Sequence, residues 1–244
     1  MLSKNEVKYI QSLGHKKRRQ EERLFIAEGS KMVAEFIMEK PELVSRLYAT
    51  EEFFQQHPEA IGITGKTVVS TDDLQRISQL QTAHEALAVV HYFTEVEIDV
   101  IEKGQVLALD GIRDPGNMGT IIRLADWFGI DTIVCSPDCA DIYNSKVVQA
   151  TMGSIMRVDI VEKELSAFLK KQTVPVIGAV LGGKELSSFH FPDDALVVIG
   201  SEATGISEEV SSLLTHRLTI PRFGQAESLN AAVATGIFLW EMKR

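Results

Sequence analysis

Apolar positions along the chain fall into two periods. Near the start, Val7, Ile10 and Leu13 recur at the spacing of one helical face and precede a Lys/Arg cluster. LFIAEG (24–29) reads as a short strand ending at Gly29. A helix follows it, with Met32, Val33, Phe36 and Ile37 on one face, and stops before Pro41. SRLYAT (45–50), KTVVS (66–70) and LAVVHYF (87–93) read as further strands, the last rich in β-branched and aromatic residues. Residues 1–93 thus form one α/β module, and the acidic, poorly periodic TEVEIDVIEKG (94–104) reads as a linker.

Beyond the linker the strands turn continuously apolar: QVLALD (105–110), DTIVCS (131–136), VPVIGAV (174–180) and ALVVIG (195–200). Helical segments separate them. Apolar strands alternating with helices predict a parallel sheet covered on both faces over 105–244. The chain has 244 residues, enough for two modest domains.

Composition narrows the function classes. No apolar run approaches the roughly 18 residues that span a bilayer, and the N-terminal segment lacks a secretory pattern, so a cytoplasmic protein without a membrane partner is expected. Cys135 and Cys139 are the only cysteines, too few for a zinc site, and no metal is expected. The net charge of −9 is unevenly spread: residues 1–24 hold seven Lys/Arg and three Glu, a net +4, leaving −13 on the remainder. A basic segment on an acidic body can still hold phosphates, because screening confines attraction to about a Debye length. Lys16, Lys17, Arg18 and Arg19 are therefore candidate phosphate contacts, a solvated helix face with a flexible tether being the alternative.

Familiar nucleotide motifs fail. Gly65-Lys66-Thr67 looks like the end of a P-loop, but Ala60 stands where glycine is required, and no G-x-G-x-x-G follows a strand. Three glycine- and polar-rich segments remain, each at the carboxyl end of a predicted strand. In LDGIRDPGNMGTIIRLADWFGI (109–130), Asp114-Pro115-Gly116 makes a turn, Asn117 is a candidate N-cap, and Arg123 lies in a helix expected to be largely buried, where its charge would need a partner. In VVIGSEATGIS (197–207) a strand ends at Gly200 and a glycine-containing loop carries Glu202. In LTIPRFGQAESLNAAVATGIFLWEMK (218–243) a strand ends at Ile220-Pro221. A loop then reaches Ser228-Leu229-Asn230, and a helix follows with small residues at Ala231, Ala232, Ala234 and Gly236. Each segment taken alone fits an ordinary strand-to-helix connection.

In this order and spacing the three segments resemble the motifs of the SpoU/TrmH family of RNA ribose 2′-O-methyltransferases, of the SPOUT class. The resemblance rests on N-x-G-x-x-x-R, G-S-E-x-x-G and I-P with S-L-N. It covers 105–244 and, more loosely, 1–93, where KNEVKYIQSL, KKRR and FIAEG are similar to the family's substrate-binding domain. Ala203 departs from the family's usual glycine. The resemblance implies an α/β fold with a C-terminal parallel sheet tied in a deep trefoil knot. It also implies a smaller N-terminal α/β RNA-binding domain similar to kink-turn-binding ribosomal proteins. It implies S-adenosylmethionine as cofactor, held by Gly200, Glu202, Ile220, Ser228, Leu229 and Asn230, and a catalytic set of Arg123, Asn117, Glu202 and Asn230, with Asn117 and Glu202 orienting Arg123. Guanidinium is essentially always protonated, so Arg123 suits phosphate binding and oxyanion stabilisation better than proton abstraction. The implied partners are a second copy of the chain, as a homodimer, and RNA, with ribosomal RNA favoured over transfer RNA by the two-domain layout. The alternatives are a tRNA ribose methyltransferase, a base methyltransferase of related fold, a Rossmann-type methyltransferase, and an RNA-binding protein with an inactive methyltransferase domain.

Overall fold

The computed structural model describes residues 2–82 and 84–244. Contacts divide the chain into two compact units. One extends to Thr94 and also takes in Asp141–Met156; the other holds Glu95–Ala140 and Arg157–Arg244. Residues 141–156 thus group with the first unit although they lie inside the 105–244 span.

The first unit begins with α1 (Lys4–Ser12), capped by Ser3, whose hydroxyl accepts the Glu6 amide. Then come α2 (Lys16–Glu22), β1 (Leu24–Glu28), α3 (Ser30–Glu39), β2 (Val44–Ala49), α4 (Glu51–Gln56), β3 (Lys66–Val68), α5 (Thr71–Ile77) and β4 (Ala86–His91). The sheet runs β1-β4-β2-β3, with β4 antiparallel to both neighbours and β3 parallel to β2. Ile10 and Leu13 of the predicted helical face pack with Tyr48, Leu74, Ile77 and Val89. The inserted segment carries α7 (Ser145–Thr151), which packs against β1. Tyr143 stacks on Tyr92 with ring centroids 3.7 Å apart, and its hydroxyl accepts the Phe93 amide at 3.2 Å. Burial pushes the Tyr143 phenol up to about 12, so it stays protonated.

The basic cluster divides here. Lys16 and Lys17 are exposed, and Arg18 is half-buried beside Glu21 and Glu22. Arg19 must be removed from the candidate RNA contacts: it is only 2 % exposed, it donates to the Leu13 and Gly14 carbonyls, and it pairs with Asp141 at 2.6 Å. A guanidinium so enclosed is spent on holding the inserted segment and has no face left for a phosphate.

The second unit follows the βα alternation: β5 (Gln105–Asp110), α6 (Pro115–Trp127), β6 (Thr132–Cys135), β7 (Asp159–Glu162), α8 (Leu165–Leu169), β8 (Val176–Glu185), β9 (Ala195–Gly200), α9 (Glu208–Ser211), β10 (His216–Thr219) and α10 (Ala231–Met242). The sheet order is β10-β8-β9-β5-β6-β7 and every pairing is parallel. Val106, Ala108, Leu196 and Val198 face a core completed by Leu165, Phe168 and Leu169 of α8 and Val210 of α9. By strand alternation Leu107, Leu109, Val197 and Ile199 point to the opposite face. α10 packs against α6 and β9, with Leu124 of α6 lying over Gly236 at ordinary van der Waals distance. Strand order reverses between β5 and β9, and Asp110 stands beside Gly200 in register. In open parallel sheets ligands bind outside the carboxyl ends at such a reversal.

Candidate active site

Three loops converge above those strand ends, each fixed by local chemistry. After β5, Asp114 caps α6 by accepting the Asn117 amide at 2.8 Å, with Pro115 preset for the first helical turn. This corrects the expectation that Asn117 is the cap. With its backbone amide satisfied by Asp114, Asn117 turns its side chain across to the other two loops. After β9, Gly205 adopts φ +68 and exchanges backbone hydrogen bonds with Ser201, closing a tight loop. Gly200 lies against the backbone of Gly205 and Ile206, where any Cβ would come far closer than the 3.0 Å that real Cβ atoms keep. Asp110 holds the far end of the loop, accepting the Ser207 amide at 2.7 Å. Before α10, Asn230 is the N-cap, its Oδ1 accepting from Ala232 N and Val233 N.

A hydrogen-bonded relay joins the three. Asn230 Nδ2 donates to Asn117 Oδ1 at 2.8 Å, and Asn117 Nδ2 donates to Glu202 Oε1. The same Glu202 oxygen accepts the Ala231 amide at 3.1 Å. Three residues scattered over more than a hundred positions thus form one latch. Arg123 does not join it. It lies exposed on α6, contrary to the expectation of a buried charge needing a partner, and makes no hydrogen bond or ion pair among the described residues. Its apolar neighbours Ile121 and Ile122 are buried, but on a helix they point about 160° and 100° away from Arg123.

Beside the latch opens a cleft of about 780 Å³. Gly200, Glu202, Ile220, Ser228 and Leu229 line it, as do the loop residues Ser201–Ile206. Asn230 stands outside the lining, in the latch. Sequence reading missed a third wall, Ala179-Val180-Leu181 of β8. The glycines that flank this stretch, Gly178 and Gly182-Gly183, were the available signal: a strand whose small residues admit close backbone approach. The cleft combines apolar walls with backbone amides and carbonyls of irregular loops, the donor set that suits a planar polar ring joined to a flexible chain.

Among the described residues no group of three or more His, Cys, Asp or Glu could hold a metal, and no helix is long and apolar enough to cross a membrane.

Comparison with known proteins agrees with this geometry. Residues 104–240 match the SpoU rRNA Methylase family, and residues 4–88 match the MRM3-like substrate binding domain. A 23S rRNA (guanosine(2553)-2′-O)-methyltransferase of Bacillus subtilis is 30% identical over 97% of this chain and 95% of its own. The structure of a protein assigned to the TrmH family of RNA methyltransferases, from Porphyromonas gingivalis, superposes with a TM-score of 0.85 at 38% identity, covering 99% of this chain and 98% of the other. An AdoMet-bound rRNA methyltransferase from Sinorhizobium meliloti superposes with a TM-score of 0.86 at 26% identity, covering 99% and 95%. Through its parallel sheet, its three convergent loops and these matches, the chain belongs to the SpoU rRNA methylase family.

Proposed function

We propose that this protein methylates a ribose 2′-hydroxyl of structured RNA, with S-adenosylmethionine as methyl donor. The observation that carries the reading is the Asn117–Glu202–Asn230 latch at the edge of the donor-sized cleft. Bound there, the donor supplies a methyl group activated by a positively charged sulfur. Gly200, Ile220, Ser228 and Leu229 hold it from the cleft walls, and Glu202 and Asn230 fix the loops that carry those residues. Asn117 ties the donor loops to α6, the helix bearing Arg123. The exposed Arg123 guanidinium binds the phosphate next to the target ribose and stabilises negative charge developing on the 2′-oxygen.

The first unit is the substrate-binding domain, similar to kink-turn-binding ribosomal proteins, and Lys16, Lys17 and Arg18 contribute phosphate contacts. Residues 94–104 link it to the methyltransferase domain. Ribosomal RNA is the favoured substrate, because the Bacillus subtilis relative matches along both units. An enzyme of ribosomal RNA belongs in the cytoplasm. The trefoil knot is part of this reading. The tight packing of Gly200 on Gly205 and Ile206 supports it, as does the return of α10 onto α6 and β9 after the edge strand β10. So is a homodimer: Trp127 on α6 and Val233 and Trp240 on α10 are 81%, 52% and 60% exposed, an apolar surface on two packed helices.

The test is transfer of labelled methyl from S-adenosylmethionine to total RNA by the purified protein, with 2′-O-methyl positions mapped in RNA from cells with and without it. One ribosomal position that depends on the protein is expected. Label on bases, or on transfer RNA alone, would overturn the reading.

A further inference from the structure

Arg113 lies four residues before Asn117 and outside the latch, and its setting is unusual for a surface arginine. Its side chain is 76% exposed, yet Nη2 donates to Asp138 Oδ2 at 2.7 Å. Asp138 is itself held: the Ser136 hydroxyl donates to Asp138 Oδ1 at 2.6 Å and accepts the Gly111 amide at 2.9 Å. That hydroxyl and the Arg113 guanidinium hold the Asp138 carboxyl below its ordinary range, so it is ionised at neutral pH.

The backbone leading to Arg113 is anchored to the same loop. The Ser136 amide donates to the Leu109 carbonyl at 2.9 Å, the Ile112 amide to Cys139 Sγ at 3.3 Å, and the Ala140 amide to the Ile112 carbonyl at 2.8 Å. Burial keeps the Cys139 thiol protonated, so it also donates to the Leu109 carbonyl. On the other side, Asp114 caps α6. Arg113 is therefore displayed between two fixed points, and four extended residues span at most about 14 Å, which bounds its distance from Asn117.

A lone exposed ion pair contributes little to stability, too little to account for so elaborate an anchorage. What the arrangement does achieve is orientation. One edge of the guanidinium fork is fixed by Asp138, and the remaining N–H groups have no partner among the described residues. A fork held this way presents its remaining N–H groups to a phosphate oxygen, and part of its ordering precedes the ligand. It stands on the β6 side of the catalytic loop, whereas the donor cleft lies on the β8–β10 side.

We propose that Arg113 binds an RNA backbone phosphate flanking the target nucleotide, and that Asp138 is the residue that positions it. The proposal rests on the reading of this chain as an RNA methyltransferase. The test compares wild-type full-length protein with Arg113→Ala, Arg113→Lys and Asp138→Asn. Donor affinity is measured by calorimetry, and kcat and KM for RNA are measured at several salt concentrations. Failure of the wild type to bind donor or methylate RNA would defeat the underlying reading and not this step. Given an active wild type, Arg113→Ala should raise KM for RNA about tenfold and lower the salt slope by about 0.7–0.9, with donor affinity unchanged. Lys should restore the slope but only part of KM, because it keeps the charge and loses the fork. Asp138→Asn should raise KM while leaving the slope intact. Unchanged KM in Arg113→Ala, or a changed KM with an unchanged slope, would overturn the phosphate assignment. Asp138→Asn kinetics equal to wild type would overturn the positioning role.

Discussion

Gly200 offers the sharpest perturbation of the proposed donor site. It is the last residue of β9, and a Cβ there would fall against the carbonyl carbon and oxygen of Gly205 and the amide of Ile206. These are backbone atoms closing a loop, so no side-chain rotation can make room. Ser201 and Gly205 are bonded to each other in both directions, at 3.2 and 2.8 Å, and both bonds must loosen for the loop to move away. Overpacking of this kind costs ~1–3 kcal/mol. If the loop must return to its native shape to bind donor, Gly200→Ala weakens S-adenosylmethionine about 5- to 150-fold. If the strain is retained in the folded protein, Tm falls by about 2–4 °C for each kcal/mol. Calorimetric titration and a thermal melt of the same preparation measure both. A folded Gly200→Ala protein with wild-type donor affinity and an unchanged Tm would refute the claim that this loop has no room for a side chain.

Arg19→Ala should destabilise by ~3–5 kcal/mol, because it leaves Asp141 without its buried partner, yet it should leave the salt dependence of RNA binding intact. The triple replacement of Lys16, Lys17 and Arg18 by Ala should do the reverse, and equal melts for the two variants would contradict the division. Glu28 is buried and accepts from the Ser78 hydroxyl and the Gln79 amide, but burial dominates and raises its carboxyl above the ordinary 4.5. A carboxyl with a raised folded pKa binds its proton more tightly when folded. Its contribution is therefore present below 4.5 and lost as pH rises through the folded value. Melts of wild type and Glu28→Gln should then diverge in favour of the variant as pH rises from 4 toward 7; a constant difference would reject the sign. If the chain forms the proposed homodimer, Trp127→Glu with Trp240→Glu should convert it to monomers by light scattering; a monomeric wild type would refute the dimer, and a dimeric double variant would refute this interface.

The apolar runs made the second sheet legible, since strands buried on both faces must be apolar throughout, and QVLALD and ALVVIG became the adjacent β5 and β9. β7 (Asp159–Glu162) escaped notice because only Val161 of its four residues is buried, leaving no apolar run. The converging loops were legible as chemistry but not as geometry. A sequence lists Asp114 and Asn117 as equally good caps, and which one bonds depends on where Pro115 starts the helix. Four consecutive basic residues, Arg19 among them, are indistinguishable in the sequence. Helical geometry turns one of them inward, and its partner Asp141 lies 122 positions away. Arg123 is the opposite case: apolar sequence neighbours suggest burial, but on a helix adjacent residues point about 100° apart.

That placement of Arg123 leads to a last prediction. Gly116, Thr120, Arg123 and Trp127 form one exposed stripe along α6, spaced by three and four residues. The latch contact of Asn117 leaves the same helix toward the chain's own Glu202 loop. If a second copy covers Trp127, then Arg123, one turn earlier, lies at the rim of that contact. Two-fold symmetry brings each Arg123 to the partner's side. Its lack of any partner among the described residues fits a cation completed by another chain or by RNA. Arg123→Ala removes the cation and Asn230→Ala breaks the latch, so each homodimer should be nearly inactive. In a mixed dimer, a site that joins an intact Arg123 from one chain with an intact latch from the other is assembled once. Co-expression with two different affinity tags, followed by tandem purification, isolates that species. The expected rate approaches half that of the wild type per dimer, with donor bound in one cleft only. A mixed dimer as inactive as its parents would show that Arg123 serves the cleft of its own chain.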